Sequence, residues 1–130
     1  SGLNITVPFK QGAFAMAKII RPYARAALSA NALWLSPEGD LIADNTDGIG
    51  LVWDLTQMVE LKGATVLLLG AGGAARGIIK PLLDAGVKQI HIANRSLSKA
   101  GDVSLLAQHC TASSYEDISA ALILLFTQHL

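Results

Sequence analysis

The second half of the chain alternates between short apolar runs and longer segments with helical periodicity. Thr65–Leu69 is an uninterrupted run of β-branched and leucine residues, typical of a strand buried on both faces of a parallel sheet. Gly70–Gly73 follows as a tight turn, and Ala74–Ala85 predicts a helix that ends at Gly86. Gln89–Ala93 reads as a second buried strand. The pattern therefore predicts two parallel strands joined by a helix.

Two further segments extend this unit. Residues Ser98–His109 predict a helix, and Leu122–Phe126 predicts a third strand. A strand–helix–strand–helix–strand order describes one mononucleotide-binding half of a doubly wound sheet. We therefore predict an α/β fold whose second part is the first half of a Rossmann domain.

The first part of the chain follows a different pattern of short, irregularly spaced elements. The predicted elements are a strand at Ile5–Val7, helices over about Gln11–Ile20 and Tyr23–Leu28, a hairpin of Leu33–Leu35 with Leu41–Ala43, and a helix from about Ile49 to Val59. The pattern changes near Leu61, where we place a boundary between residues 1–61 and residues 62–130. We expect the first region to be an incomplete α/β domain that ends in a linker helix.

Composition narrows the classes of function. The 130 residues are 52% hydrophobic, and ten basic residues balance ten acidic ones. Disorder is thereby excluded for most of the chain, and no net charge attracts nucleic acid or an anionic membrane. The single cysteine and three scattered histidines predict neither an internal disulfide nor a metal site. We expect a cytoplasmic protein that binds a small molecule, with no membrane segment and no secretion signal.

The glycine turn has the pattern of a dinucleotide-binding loop. Residues 70–75 fit G-x-G-x-x-A and lie between a predicted strand and a predicted helix, which is the context that this motif requires. Gly70 makes the turn, Gly72 lets the backbone approach a pyrophosphate, and the helix N-terminus offers free N–H groups. The alternative is a purely structural turn. The residues predicted to bind the cofactor here are Gly70, Ala71, Gly72, Gly73, Ala74 and Ala75.

The residues after the second strand favour NADP over NAD. NAD-specific loops place a carboxylate there to bind the ribose 2′-hydroxyl, but this chain has no acidic residue before Asp102. It carries Asn94, Arg95, Ser96 and Lys99 instead. Two cations one helical turn apart suit a 2′-phosphate, and the amide and hydroxyl can donate hydrogen bonds to it. The alternative is that Arg95 and Lys99 are ordinary solvated surface charges.

Four polar residues in the first region lie beside turns or strand ends: Lys10, Asn31, Asn45 and Asp47. A lysine beside an aspartate can hold a substrate oxygen, exchange a proton with it and stabilise developing negative charge. Taken singly, such residues are more often surface charges. Beside a nicotinamide site a functional role is favoured, because hydride transfer requires a group that donates or accepts the accompanying proton.

Taken together, these motifs resemble those of the shikimate dehydrogenase family in order and spacing. The matching segments are Asn4–Lys10, Asn45–Gly50, Gly70–Gly77 and Asn94–Ala100. The resemblance implies NADPH-dependent reduction of 3-dehydroshikimate to shikimate, a step of chorismate and aromatic amino-acid biosynthesis. It also implies that the first region is part of a substrate-binding domain and that the second binds NADP.

The resemblance assigns roles to individual residues. Lys10 would be the catalytic lysine and Asp47 its partner, both beside the reacting oxygen of the substrate. Thr6 and Asn31 would donate or accept hydrogen bonds to the substrate. The neighbours of Asn31 differ from the family's pattern, and Lys99 replaces an arginine, which keeps the charge but loses bidentate geometry.

The resemblance also predicts what the chain lacks. Family chains are roughly twice this length, so we expect a central fragment without the serines that bind the substrate carboxylate and without the closing helix. The tail Ser119–Leu130 departs from the family's pattern. We therefore expect the fragment to be inactive alone. Two alternatives stay open: a quinate/shikimate dehydrogenase with mixed NAD/NADP use, and a non-catalytic NADP-binding fragment.

Overall fold

The computed structural model describes residues 1–104, 110–113 and 123–126. Its elements follow the chain in the order β1 (Gly2–Asn4), α1 (Lys10–Met16), β2 (Ile19–Ile20), α2 (Pro22–Ala27), β3 (Ala32–Leu35), β4 (Leu41–Asp44), α3 (Asp47–Thr56), β5 (Thr65–Leu69), α4 (Gly73–Asp84), β6 (Gln89–Ala93), α5 (Leu97–Ser104), β7 (Cys110–Ser113) and β8 (Ile123–Phe126). None of the helices in these ranges is long and apolar enough to cross a bilayer.

The first sheet has four strands in the order β1-β3-β4-β2. Strands β3 and β4 form the predicted antiparallel hairpin, with Leu33 opposite Ala43, and β1 extends it antiparallel to β3. Strand β2 joins parallel to β4. Helix α1 packs on this sheet over a small core of Ala13, Ala24, Ala30, Leu33 and Ala43.

One predicted element of this region is not formed, and another ends earlier than predicted. The predicted strand at Ile5–Val7 is not formed; β1 lies earlier, and residues 7 and 8 lie in a turn with a cis Val7–Pro8 peptide bond. The predicted helix to Ile20 ends at Met16, because Ala17 is extended and the Lys18 N–H donates to the Leu41 carbonyl at 3.0 Å. Pairing with β4 thus outweighs the helical pattern.

The second sheet is wholly parallel, in the order β7-β6-β5-β8. This is the strand order of a Rossmann half that includes the first strand beyond the reversal, so the β5–β8 junction is the topological switch point where such sheets bind their ligands. The predicted strands β5 and β6 are confirmed with their bounds. Strand β7 was not predicted, and the predicted C-terminal strand is confirmed as β8 and is the fourth strand of this sheet.

The core of this region lies between β5, β6 and helix α4. Val66, Leu68, Leu82, Ile90 and Ile92 are fully buried. Helix α4 is closed by Gly86, which adopts a positive φ of 95°, as its predicted position after the helix requires. The prediction of a helix through His109 is confirmed up to Ser104; residues 105–109 lie outside the described residues.

The two sheets are joined by a close contact between helices α3 and α4. A Cβ built on Gly48 would collide with the Gly77 carbonyl oxygen and lie only 2.6 Å from Cγ of Pro81. Pro81 has no N–H to donate to that carbonyl, which is therefore available to face α3. Only glycine at position 48 lets the helices approach this closely.

Candidate functional site

Lys10 and Asp47 lie together although 37 residues separate them. Lys10 is the first residue of α1 and Asp47 the first residue of α3, so each side chain starts from a fixed helix terminus. The Lys10 Nζ atom lies 2.5 Å from Oδ2 of Asp47. The side chains are 27% and 48% exposed, which leaves the pair accessible from solvent.

Asn31 completes this cluster from the start of β3. Its Nδ2 group donates to Oδ1 of Asp47 and to Oγ1 of Thr46, each at 2.9 Å. Its Oδ1 atom accepts the Thr46 backbone N–H, also at 2.9 Å. The backbone of Asn31 pairs with β4 through the Asp44 carbonyl at 3.0 Å. The structure therefore brings together the three polar residues to which we gave the main roles at the substrate.

Thr6 is placed near this cluster but is not joined to it. The Ile5 N–H donates to the Asn31 carbonyl at 2.7 Å, which puts Thr6 one residue from the cluster's backbone. The Thr6 carbonyl accepts the Phe9 N–H at 2.9 Å and so forms the turn before α1. Its hydroxyl makes no hydrogen bond to any residue in the described ranges and is exposed.

The glycine turn has the backbone geometry that a pyrophosphate requires. Gly70 has a φ of 115°, and its N–H donates to the Ala93 carbonyl at 2.8 Å, which ties the turn to the end of β6. Gly72 is extended and precedes α4, whose first turn has no side-chain cap. A Cβ on Gly73 would meet no atom within 4 Å. Open space thus faces free helical N–H groups, and a phosphate fits there.

Two alanines of this turn, Ala71 and Ala75, pack inward. Ala75 is fully buried at the third motif position, where it lets α4 approach the sheet, and Ala71 packs against the same core. Ala74 is exposed. The turn is therefore firmly attached to the sheet behind it and open in front.

The group predicted to hold the 2′-phosphate lies just after β6. The Asn94 N–H donates to the Ser113 carbonyl of β7 at 3.2 Å, and the Asn94 side chain donates to the Ser96 carbonyl at 3.2 Å. The Ser96 hydroxyl lies 3.0 Å from that of Ser98. It also accepts the backbone N–H of Lys99, in the first turn of α5, at 3.5 Å. Arg95 and Lys99 are exposed, and neither is paired with a carboxylate in the described part of the chain.

Helices α3 and α4 set the distance between the two groups of residues. Gly48, which contacts the Gly77 carbonyl, follows Asp47 directly, and Gly77 lies four residues after the first residue of α4. At about 1.5 Å per residue this is roughly 6 Å along the helix. The Lys10–Asp47 pair is therefore attached close to the mouth of the glycine turn.

Some polar contacts were not foreseen from the sequence. The Nε2 atom of His91 lies 2.7 Å from the Ser113 hydroxyl, and Nδ1 contacts that of Thr111, so both ring nitrogens face β7. This contact was not predicted because strand β7 was not predicted. Burial raises the pKa of the Cys110 thiol at the start of the same strand. No cluster of three or more metal-binding side chains occurs among the described residues.

A groove of about 420 Å³ lies elsewhere, between α2 and α4. It is lined by Arg25, Ala26, Leu28, Arg76, Ile79, Lys80, Leu83 and Asp84. None of the predicted site residues lines it, so it is separate from the Lys10–Asp47 cluster and from the glycine turn.

Comparison with known proteins gives this geometry a family. Residues 54–124 match the family model described as "Shikimate / quinate 5-dehydrogenase". The chain belongs to this family. It is 46% identical over 119 residues to the shikimate dehydrogenase (NADP(+)) of Legionella pneumophila, a match that covers 92% of the chain and 44% of the relative. It is 54% identical over 100 residues to that of Vibrio atlanticus, with 76% and 36% covered.

A solved structure of the family shows the same fold. The shikimate dehydrogenase of Mycobacterium tuberculosis superposes with a TM-score of 0.85 at 28% identity, over 98% of this chain and 50% of that one. The chain spans less than half the length of the two curated relatives named above. The match therefore covers only part of each of these relatives.

Proposed function

We propose that this chain carries the catalytic and NADP-binding centre of a shikimate dehydrogenase, which interconverts 3-dehydroshikimate and shikimate. The observation that carries the proposal is the Lys10–Asp47 pair, 2.5 Å apart and attached through Gly48 to the helix of the glycine turn. Its relatives named as NADP-dependent shikimate dehydrogenases support the substrate and the cofactor.

The chemistry of the substrate oxygen falls to Lys10. NADPH, when bound, supplies the hydride. The Lys10 ammonium can donate to the ketone oxygen and stabilise the negative charge that develops as the carbonyl is reduced. Asp47 holds the ammonium through Oδ2, while its Oδ1 atom is held by Asn31. In the reverse direction the same pair can accept the hydroxyl proton of shikimate.

The cofactor would bind to the glycine turn and to the residues after β6. The pyrophosphate would lie on the free N–H groups of α4, where Gly73 leaves room for it. The 2′-phosphate would lie between Arg95 and Lys99, whose charges have no carboxylate partner among the described residues. With no acid near Arg95 before Asp102, binding of NADP is favoured over binding of NAD, which argues against the mixed-cofactor quinate enzyme.

The division of the chain and its setting belong to the same proposal. Residues 1–61 would contribute to the substrate domain and residues 62–130 to the NADP-binding domain, in keeping with their separate sheets and cores. A free cysteine and a small-molecule substrate suit the cytoplasm.

A chimera tests the proposal directly. The 119 aligned residues of this chain would replace the matching segment of the Legionella relative, and NADPH oxidation would be followed at 340 nm with 3-dehydroshikimate. Turnover is expected from the chimera and not from the 130-residue chain alone, which should still bind NADP⁺ in a calorimetric titration. A folded chimera that binds NADP⁺ without turnover would reject the catalytic assignment, and turnover by the chain alone would reject its dependence on further segments.

A further inference from the structure

Asn45 carries a polar side chain into the interior. It is only 3% exposed, and the other buried polar residues in the described part of the chain are Ser29 at 7% and Ser113 at 9%. An amide buried without partners costs free energy, so the bonds of Asn45 indicate what holds it there. No role was assigned to its side chain above.

The side chain of Asn45 is bonded at both ends. Its Nδ2 group donates to the Ser29 carbonyl at 3.2 Å and to the Ser29 hydroxyl at 3.1 Å. Its Oδ1 atom accepts the backbone N–H of Asp47 at 3.1 Å. That N–H is one of the free donors at the start of α3, and Thr46, at the N-cap, provides no side-chain cap. Asn45 therefore caps α3 from one residue earlier, as an Asx turn.

The same amide also faces the cofactor region. A Cβ built on Gly77 would lie 4.0 Å from Nδ2 of Asn45, which is ordinary van der Waals distance. Asn45 thus lies between the α2–β3 connection that contains Ser29, the first turn of α3, and helix α4. A rotation of its side chain would break the hydrogen bonds to Ser29 and to the Asp47 N–H.

We propose that Asn45, held by Ser29, is a positioning residue that fixes the start of α3 and thereby the direction of the Asp47 carboxylate. The hydrogen bonds of its side chain go to Ser29 and to the Asp47 backbone. Its effect passes through the Asp47 N–H, and its importance for turnover rests on the proposed function of the Lys10–Asp47 pair.

Nuclear magnetic resonance of the 130-residue chain tests this without substrate or cofactor. In Asn45→Ala, hydrogen exchange of the Asp47 amide should speed up about tenfold, the equivalent of one lost hydrogen bond to a buried acceptor. The Hα–Hβ coupling constants of Asp47 should change from values typical of a single χ1 rotamer to values averaged over several rotamers. Asn45→Asp keeps an oxygen for the Asp47 N–H and should retain most of the protection. Ser29→Ala leaves the carbonyl as a partner of Asn45 and should have a smaller effect.

Asn4→Ala is the matched control, since Asn4 is exposed on β1 and its loss should leave Asp47 unchanged. Unchanged Asp47 exchange and couplings in a folded Asn45→Ala would overturn the proposal. If Asn45→Ala does not fold, Asn45→Asp provides the test. An Asp47 amide that exchanges as fast in Asn45→Asp as in the unfolded chain would then overturn the proposal. Because none of these readouts involves turnover, an inactive chimera would reject the proposed function and leave this result standing.

Discussion

Both oxygens of the Asp47 carboxylate are occupied by groups from other segments of the chain. Oδ2 contacts the Lys10 ammonium from α1, and Oδ1 accepts from Asn31 at the start of β3. A carboxylate held at two points cannot turn away from the ammonium without breaking a second bond. The Lys10 ammonium is thereby held in a fixed position, as its proposed role as proton donor to a ketone requires.

Removing that ammonium should therefore affect turnover and not cofactor binding. In the chimera, Lys10→Ala is expected to lower kcat by at least about a hundredfold, the usual contribution of a positioned acid–base group. The Kd for NADPH should stay within about twofold, since Lys10 is not among the residues proposed to bind the phosphates. Lys18→Ala, which removes an exposed lysine paired with Asp40, is the control. An equal loss of turnover and cofactor affinity in Lys10→Ala would contradict the assigned role.

Arg95 should decide between the two dinucleotides. In the 130-residue chain, Arg95→Ala is expected to weaken NADP⁺ binding about tenfold, because one charge-assisted contact to the 2′-phosphate is lost. Binding of NAD⁺ should be unchanged. Lys88→Ala removes a charge at the opposite, amino-terminal end of β6 and should affect neither. Calorimetric titration of both nucleotides measures the difference, and a parallel loss for both would argue that Arg95 acts only on general charge.

Local sequence pattern was enough to find the residues of the site but not their bonds. Lys10 and Asp47 were found as polar residues beside turns or strand ends, and the resemblance placed both beside the reacting oxygen of the substrate. Their places as the first residues of α1 and α3 were not predicted. The part played by Ser29 was not visible, because it depends on a contact with a residue 16 positions away. The resemblance assigned Thr6 a hydrogen bond to the substrate, and its hydroxyl bonds to no residue in the described ranges, so this role stays a prediction.

At the scale of elements, the strands rich in buried apolar residues were predictable, and the very short or polar strands were not. Enough apolar residues lie in Thr65–Leu69 and Gln89–Ala93 for both to be recognised as buried strands. Nearby glycines help to locate their ends. Strand β7, with the sequence Cys-Thr-Ala-Ser, has little apolar pattern, and β2 has only two residues. Both form because a neighbouring strand offers free hydrogen-bonding groups, which no local pattern records.

The contact between α3 and α4 yields a prediction with a matched control on the same helix. Gly48→Ala places a methyl group against the Gly77 carbonyl and Pro81, so overpacking should destabilise the fold by about 1–3 kcal/mol. Gly50→Ala meets no atom within 4 Å and should stabilise the fold by about 0.5–1 kcal/mol through helix propensity. Urea unfolding of the two variants measures the sign and size of each change in the free energy of unfolding. A neutral Gly48→Ala would show that the helices do not approach as closely as described.

At the scale of the whole molecule, a second link holds the two regions together. The Tyr23 hydroxyl, on α2, donates to Oδ2 of Asp84 on α4 at 2.8 Å. The Lys80 ammonium lies 5.7 Å from the centre of the Tyr23 ring and 3.3 Å from Oδ2 of Asp84. With Gly48 and Pro81 on one side and this group on the other, α4 is attached at two places. These two attachments hold α4, and the glycine turn before it, against the first region of the chain.

This second link should weaken at alkaline pH. The hydrogen bond to Asp84 raises the pKa of Tyr23 above its ordinary 10.0, with burial and the charges of Asp84 and Asp44 acting in the same direction. A raised pKa in the folded state means that the neutral phenol is the stabilised form. Its contribution to stability is complete below pH 10.0 and is lost as the pH rises through the higher folded-state value.

The comparison of wild type with Tyr23→Phe isolates this contribution. Below about pH 9 the wild type should be the more stable, by about 1 kcal/mol for one hydrogen bond. Above the folded-state pKa of Tyr23 the difference should shrink towards zero, because a phenolate cannot donate to Asp84 and is repelled by it. Asp84→Asn keeps an acceptor without the charge, so its stability should fall less steeply over the same range. Urea unfolding measured from neutral to alkaline pH gives the three curves. A wild-type advantage that persisted unchanged through the alkaline range would show that the Tyr23–Asp84 hydrogen bond does not join the two regions in solution.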